Sequence, residues 1–312
     1  MGSYLVTGGA GFIGSHLAEE LVRRGEKVRV LDNFLTGRRE NLADFRAKID
    51  LAEGDVRSLE ICRRAAEGMD FVLHQAALPS VPRSVQDPLL SNEINIGGTL
   101  NMLRAAQETG VKRFIFASSS SVYGGDERLP KREGNEGPPL SPYAVTKVAA
   151  EKYCLVFNRI FGLPTVCLRY FNIFGPRQDP ASQYAAVVPL FIRLCLEGRP
   201  PKIFGDGRQS RDFTYVANVV EANLLACQAA EAPGGVYNIG SGGQVTVNEL
   251  AAAIKDITGA RVEPVNERPR PGDILHSWAD IGRAAEVLGY RPAIGFREGL
   301  ERTVRWYKER GA

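Results

Sequence analysis

Tyr143 and Lys147 stand four residues apart in the run Ser141-Pro142-Tyr143-Ala144-Val145-Thr146-Lys147. On a helix, positions i and i+4 share one face. An ammonium beside a phenol favours the phenolate, so the pair predicts a tyrosine able to act as a base below its usual pKa of about 10. Upstream lies the serine run Ser118-Ser119-Ser120-Ser121-Val122-Tyr123-Gly124, from which Ser119 would add a hydroxyl to the same site. Phenol, ammonium and hydroxyl together can take a proton off a carbinol.

Such a step needs a hydride acceptor, and the N-terminus points to one. Gly8, Gly11 and Gly14 follow the apolar run Tyr4-Leu5-Val6 and precede a stretch with Ile13, Leu17, Leu21 and Val22 at helical spacing. Strand, glycine turn and helix are the setting of a dinucleotide fingerprint. The glycines let the backbone approach a pyrophosphate, and the helix N-terminus offers it free amides. The spacing is G-x-x-G-x-x-G rather than G-x-G-x-x-G. Asp32 ends the next strand, 18 residues after Gly14. A carboxylate there accepts from a ribose diol and repels a 2′-phosphate, which predicts NAD rather than NADP. Arg38 and Arg39 follow it and leave room for a 2′-phosphate. Asp55, with Val56, is a candidate for the adenine amine, and Gln75-Ala76-Ala77 supplies small residues past which a cofactor can run.

These groups must be carried by a regular frame. Apolar runs predict strands over 4–6, 27–31, 49–53, 71–74, 114–118 and 165–170, with helices over 12–24, 58–67, 91–109 and 142–161 between them. Ser141 suits a helix N-cap and Pro142 the first helical position. The alternation predicts an α/β fold, a Rossmann-type doubly wound parallel sheet with its ligands at the carboxyl ends of the strands. After Asn172 the pattern changes to loop chemistry over 175–180, then helices over 188–197, 216–230, 247–258 and 300–309 and a strand over 236–239. The expected division is a dinucleotide-binding domain at 1–172, with returning segments near 212–240, and a smaller C-terminal substrate-binding lobe at 173–312.

Composition narrows the function classes. Of 312 residues 44% are hydrophobic and 24% charged, the balance of an ordinary globular protein. A formal net charge of +3, spread along the chain, gives no electrostatic case for nucleic acid. No apolar run approaches the roughly 20 residues that span a bilayer, and the immediate entry into a strand leaves no room for a signal peptide. The five scattered cysteines form no Cys-x-x-Cys pair, so buried thiols in a reducing cytoplasm are expected. His16, His74 and His276 are too dispersed for a metal.

The matches then accumulate in order: Thr7 to Gly14, Asp32-Asn33, Gly54-Asp55-Val56, His74 to Ala77, Ser118 to Gly124, Tyr143 to Lys147, Arg169-Tyr170-Phe171-Asn172, Ser210 to Phe213, and Arg270-Pro271-Gly272-Asp273. Nearly end to end, the chain resembles the extended short-chain dehydrogenase/reductases and, within them, the NAD-dependent nucleotide-sugar epimerase/dehydratase family. The sugar 4,6-dehydratases of that family carry Asp-Glu where Ser120-Ser121 stand here, and the UDP-glucuronate decarboxylases a glutamate at Ser121. Hydroxyls cannot do that carboxylate work at neutral pH. The serine loop and the run from Arg169 to Pro180 therefore resemble the UDP-glucose and UDP-N-acetylglucosamine 4-epimerases.

The resemblance implies reversible inversion at C4 of a UDP-hexose through a 4-keto sugar, with transient hydride transfer to NAD. Ser119, Tyr143 and Lys147 would be the catalytic residues. Cofactor contacts are implied for Gly8, Gly11, Phe12, Ile13, Gly14, Asp32, Asn33, Gly37, Asp55, Val56, Gln75, Ala76, Ala77, Asn95, Tyr143, Lys147 and Tyr170. Substrate contacts are implied for Ser80, Ser119, Ser120, Tyr143, Asn172, Gln178, Ala186, Val187, Arg211, Arg270 and Ser277. Ser277 is small where a tyrosine would crowd an N-acetyl group, so N-acetylated sugars are expected to enter. Asp212 reads as a structural acceptor. The family dimerises through the helices here at 91–109 and 143–161, which implies a homodimer with a four-helix bundle. UDP-glucuronate decarboxylation or 4-epimerisation is the alternative activity. A nucleotide-sensing scaffold without turnover is the alternative class.

Overall fold

Short runs rich in Val, Leu, Ile and Phe form parallel strands in the computed structural model, which describes residues 1–180, 186–269 and 274–311. The strands are β1 (Ser3–Thr7), β2 (Lys27–Asp32), β3 (Asp50–Glu53), β4 (Phe71–His74), β5 (Arg113–Ser119) and β6 (Thr165–Tyr170). Gly235–Ile239 joins as a seventh strand beyond β6. The spatial order is β3-β2-β1-β4-β5-β6 and then the seventh strand, with each neighbouring pair parallel. The order reverses between β1 and β4, and at such a switch point an open sheet leaves a crevice at its carboxyl ends. Register brings Thr7 opposite His74 and Ser119 opposite Tyr170.

Helices α1 (Phe12–Arg23), α2 (Leu59–Ala66), α3 (Val81–Gln86), α4 (Pro88–Asn92), α5 (Gly98–Glu108) and α6 (Pro142–Phe161) belong to the first half of the chain. On one face of the sheet, Leu17 and Leu21 of α1 and Val219 and Ala226 of the helix Val216–Gln228 bury against Val6, Val30 and Leu73. On the other, Met102, Leu103, Ala150 and Cys154 of α5 and α6 bury against Leu5, Val72 and Phe114. Strands buried on both faces need no alternation, which is why they read as continuous apolar runs. A further core of Phe174, Phe191, Ile203, Phe213, Leu250 and Leu300 gathers the C-terminal elements.

Three local expectations change. The helix foreseen over 91–109 is interrupted by a π-turn at Glu93–Gly97, with α4 before it and α5 after it. α3 begins inside the Pro79–Ser84 stretch and runs to Gln86, where no apolar spacing predicts a helix. Its signal was present: Ser80 accepts from the Arg83 amide at 3.2 Å, and Pro82 lies in the first turn. Arg39–Lys48 forms a 3-10 helix that only Leu42 and Phe45 tie to the core, so apolar spacing could not announce it. Among the described residues no helix is long and apolar enough to cross a membrane.

Candidate active site

The carboxyl ends of β1, β2, β4, β5 and β6 open into a cleft of about 530 Å³. Gly8, Gly11, Phe12, Ile13 and Gly14 line its floor. Gly8 has φ +65, and a Cβ there would come within 2.8 Å of the Ala76 backbone. A Cβ on Gly14 would lie 2.2 Å from the Gly8 carbonyl oxygen. The turn is therefore closed against β4 and α1 at once, and only glycine fits both positions. No side chain caps the N-terminus of α1, so its first amides face the cleft without a protein acceptor. That is the arrangement a pyrophosphate requires.

Asp32 stands at the end of β2 and lines the same cleft. Its Oδ2 accepts from the Ala10 amide at 2.9 Å and Oδ1 from the Phe34 amide at 2.8 Å. It thus braces the glycine turn as well as facing a ribose position. Burial pushes its pKa up, and the two amide bonds oppose that. Asn33 Nδ2 donates to Asp55 Oδ2 at 2.7 Å, and the Arg57 guanidinium holds the Asp55 carboxyl down to about 2. Val56, Gln75, Ala76, Ala77 and Tyr170 complete this wall. The Tyr170 hydroxyl accepts from Asn223 Nδ2 at 2.9 Å and from Gln75 Nε2 at 3.2 Å.

At the far end lie Ser119, Ser120, Tyr143 and Lys147. The α6 N-terminus is built as expected, with Ser141 Oγ accepting from the Ala144 amide at 3.1 Å. The Tyr143 amide has its own acceptor, Ser84 Oγ at 3.0 Å, contributed by α3. Ser119 hydrogen-bonds the Tyr143 side chain, which favours the phenolate, but burial dominates and pushes the phenol up to about 12. Burial pushes Lys147 down to about 8, with Glu151 opposing it. Lys147 Nζ donates to the Ala117 carbonyl at 2.7 Å and lies 5.9 Å from the Tyr143 ring centroid. The simple expectation of a phenol depressed by its lysine is therefore corrected. The protein alone holds Tyr143 protonated, because desolvating a phenolate costs more than the serine bond returns.

His74 sits behind this site between Thr7 Oγ1 (2.8 Å) and Thr99 Oγ1 (3.1 Å). Burial pushes it down to about 3, and pushes His16 down to about 4 with help from Arg177. Both are neutral when folded, whereas an unfolded histidine titrates near 6.5. Stability is therefore complete above about pH 6.5 and lost as pH falls, at up to about 1.4 kcal/mol per pH unit for each histidine. Urea unfolding at pH 7 and pH 5 should show the loss, and His74→Gln should reduce it. Equal stabilities at the two pH values would contradict this account.

Several expected contacts stand elsewhere. Asn95, 2% exposed, lies on the π-turn and does not line the cleft. Its Oδ1 accepts from the Leu78 amide at 2.7 Å and its Nδ2 donates to Thr146 Oγ1 at 3.1 Å, so it ties the β4 loop to α6. Gly37 backs the cleft wall, where a Cβ would press on the Asp32 carboxylate at 2.8 Å. Ser80 caps α3. Asn172, Gln178 and Ala186 line the cleft, whereas Val187 begins the next helix outside it. Arg211 and Ser277 are parallel register partners that do not line this cleft, and Arg211 Nη1 donates to the Ser210 carbonyl at 2.9 Å. Arg270 lies outside the described residues. Asp212 is an acceptor hub, taking the Ser241 amide and hydroxyl at 2.7 Å each. Sequence reasoning missed Thr36, Asn41, Ile94, Arg177 and Asp179 in the lining. Arg38 donates to Asp179 Oδ2 at 2.6 Å across 141 positions of chain, a pairing no local pattern encodes.

The model of the NAD dependent epimerase/dehydratase family matches residues 4–240. The chain belongs to that family. Its fold superposes with a TM-score of 0.95 on the UDP-N-acetylglucosamine 4-epimerase of Methanobrevibacter ruminantium in complex with UDP-N-acetylmuramic acid, at 40% identity over 99% of both chains. A UDP-glucose 4-epimerase of Thermus thermophilus, solved with NAD, gives 0.89 at 39% identity over 98% of this chain and 99% of that one. A UDP-glucuronate 4-epimerase of Thermodesulfobacterium geofontis is 33% identical over 319 aligned residues, 99% of this chain and 97% of that one. The protein is an enzyme of the epimerase/dehydratase family, and NAD is its cofactor. The uncapped α1 amides, the glycine floor and the Asp32 carboxylate fit that dinucleotide.

Proposed function

We propose that the protein catalyses reversible 4-epimerisation of UDP-hexoses, interconverting UDP-glucose and UDP-galactose and also their N-acetylated counterparts. The observation that carries this reading is the convergence of Ser119, Tyr143 and Lys147 at one end of the cofactor cleft, with hydroxyls alone at Ser120 and Ser121. NAD, when bound, supplies the reversible hydride acceptor. Tyr143 Oη manages the 4-hydroxyl proton, and Ser119 Oγ hydrogen-bonds the same sugar oxygen. Burial raises the Tyr143 phenol and the Ser119 hydrogen bond opposes it, while Lys147 as an ammonium would bond the nicotinamide ribose. The absence of a second acid in the serine loop leaves elimination of water without a proton carrier. Residues 1–172 form the NAD-binding domain in this reading, and 173–312 the lobe that holds UDP. Asn172, Gln178, Ala186 and Val187 serve the nucleotide, as do Arg211 and Arg270, with Ser277 beside the C2 substituent.

Chromatography of products from UDP-glucose, UDP-N-acetylglucosamine and UDP-glucuronate tests this. The first two should each approach a mixture with the C4 epimer. Consumption of UDP-glucuronate alone would replace the reading by the uronate one.

The same proposal includes a homodimer in the cytoplasm. All five thiols are free and buried, as a reducing compartment allows. Val145, Tyr153, Val156 and Ile160 form an exposed apolar stripe along α6, which Val85 and Leu89 continue on α3 and α4. Ile160→Glu with Val156→Glu should convert the dimer to monomer in sedimentation velocity. A native protein that sediments as monomer would dismiss this part.

A further inference from the structure

Glu151 lies one helical turn beyond Lys147 on the same face of α6 and is 3% exposed. Its Oε1 accepts from Ser118 Oγ at 2.5 Å and from Arg169 Nε at 2.9 Å. Its Oε2 accepts from Arg169 Nη2 at 2.8 Å. Arg169, also 3% exposed, donates through Nη1 to Glu136 Oε1 at 2.5 Å and stacks its guanidinium over the Tyr123 ring at 4.9 Å. Ser118 precedes Ser119 on β5, Arg169 precedes Tyr170 on β6, and the two residues are register partners. One carboxylate thus ties α6 to the cleft-facing ends of β5 and β6. Neither Glu151 nor Arg169 lines the cleft.

A buried ion pair is a weak device for stability alone, since desolvation offsets most of its attraction. Its charges matter more for what lies beside them. Lys147 faces the neutral His74 from β4, and the Ala117 carbonyl, the Phe116 ring and the Ser118 hydroxyl from β5. From its own helix it faces Tyr143, Glu151 and Cys154, and β6 presents Arg169, Tyr170 and Cys167. The nearest carboxylate in that set is Glu151. Arg169 also meets the carboxylates of Glu136, which is exposed, and of Glu133.

We propose that Glu151, clamped by Arg169 and Ser118, is a positioning residue for the active site. It seats α6 on β5 and β6 and supplies the negative charge that keeps Lys147 an ammonium. The catalytic meaning of that charge rests on the function proposed above, but the electrostatic claim can be read without any sugar.

The experiment follows the Lys147 side-chain resonance of lysine-labelled full-length protein through a pH titration, with Lys147→Met giving the assignment. In Glu151→Gln the titration should move down by about one pH unit or more, as loss of a neighbouring buried charge requires. Glu151→Asp keeps the charge and should restore most of the shift. A folded Glu151→Gln protein whose Lys147 titrates at the native pH would overturn the proposal. If that variant does not fold, the same titration in Glu151→Gln combined with Arg169→Met decides, with an unchanged midpoint again refuting it. Should the protein prove not to epimerise while the shift is found, the proposed reaction fails and the role of Glu151 stands.

Discussion

Tyr143→Phe should lower sugar-nucleotide turnover by about 10²- to 10⁴-fold, the range expected for loss of a positioned acid-base group. The substitution removes one oxygen and little else. The Tyr143 amide keeps its bond to Ser84 Oγ, and its carbonyl still accepts from Thr146 Oγ1 at 2.7 Å, because both involve backbone. The ring can keep its place beside Lys147. NAD should therefore stay bound, since the glycine floor and Asp32 are untouched. Product chromatography reads the first quantity, and the absorbance of dinucleotide released on denaturation reads the second. Undiminished turnover would remove Tyr143 from the chemistry. Loss of NAD along with turnover would make its role structural.

Gly14→Ala should cost at least about 100-fold in NAD affinity, together with about 1–3 kcal/mol of stability, the usual penalty for overpacking. The new methyl would stand 2.2 Å from the Gly8 carbonyl oxygen and 2.8 Å from the Gly9 Cα, both backbone atoms. Gly8 cannot retreat. Its amide donates to the Leu31 carbonyl at 2.8 Å and its Cα faces the Ala76 backbone. The strain must be relieved by lifting α1 off the turn, and that carries away the amides a pyrophosphate needs. Gly97→Ala, where an added Cβ meets nothing within 4 Å, serves as the control and should bind NAD normally. Isothermal titration with NAD and urea unfolding measure both effects. Full affinity in Gly14→Ala would mean that the turn does not cradle the dinucleotide.

The glycine spacing and the Tyr143–Lys147 interval are local patterns, the first set between a strand and a helix and the second on the opening turns of a helix. Strands read correctly because burial on both faces leaves continuous apolar runs. The π-turn at Glu93–Gly97 did not read in the apolar spacing; its Asn95 bonds Leu78 and Thr146, partners 17 and 51 residues away. Arg211 and Ser277 meet through strand pairing across 66 positions of chain, a juxtaposition that no local pattern encodes.

By itself the sequence determined the parallel α/β frame, the dinucleotide floor and the identity of the phenol, ammonium and hydroxyl, since each depends on spacing within one or two elements. Tertiary structure alone decided the electrical state of those groups. Burial drives Tyr143 up and Lys147 down, and the α6 carboxylate that counters this at Lys147 is held by a guanidinium 18 residues away on β6. Desolvation and charge proximity are properties of enclosed space, and the order of residues along a chain does not contain them.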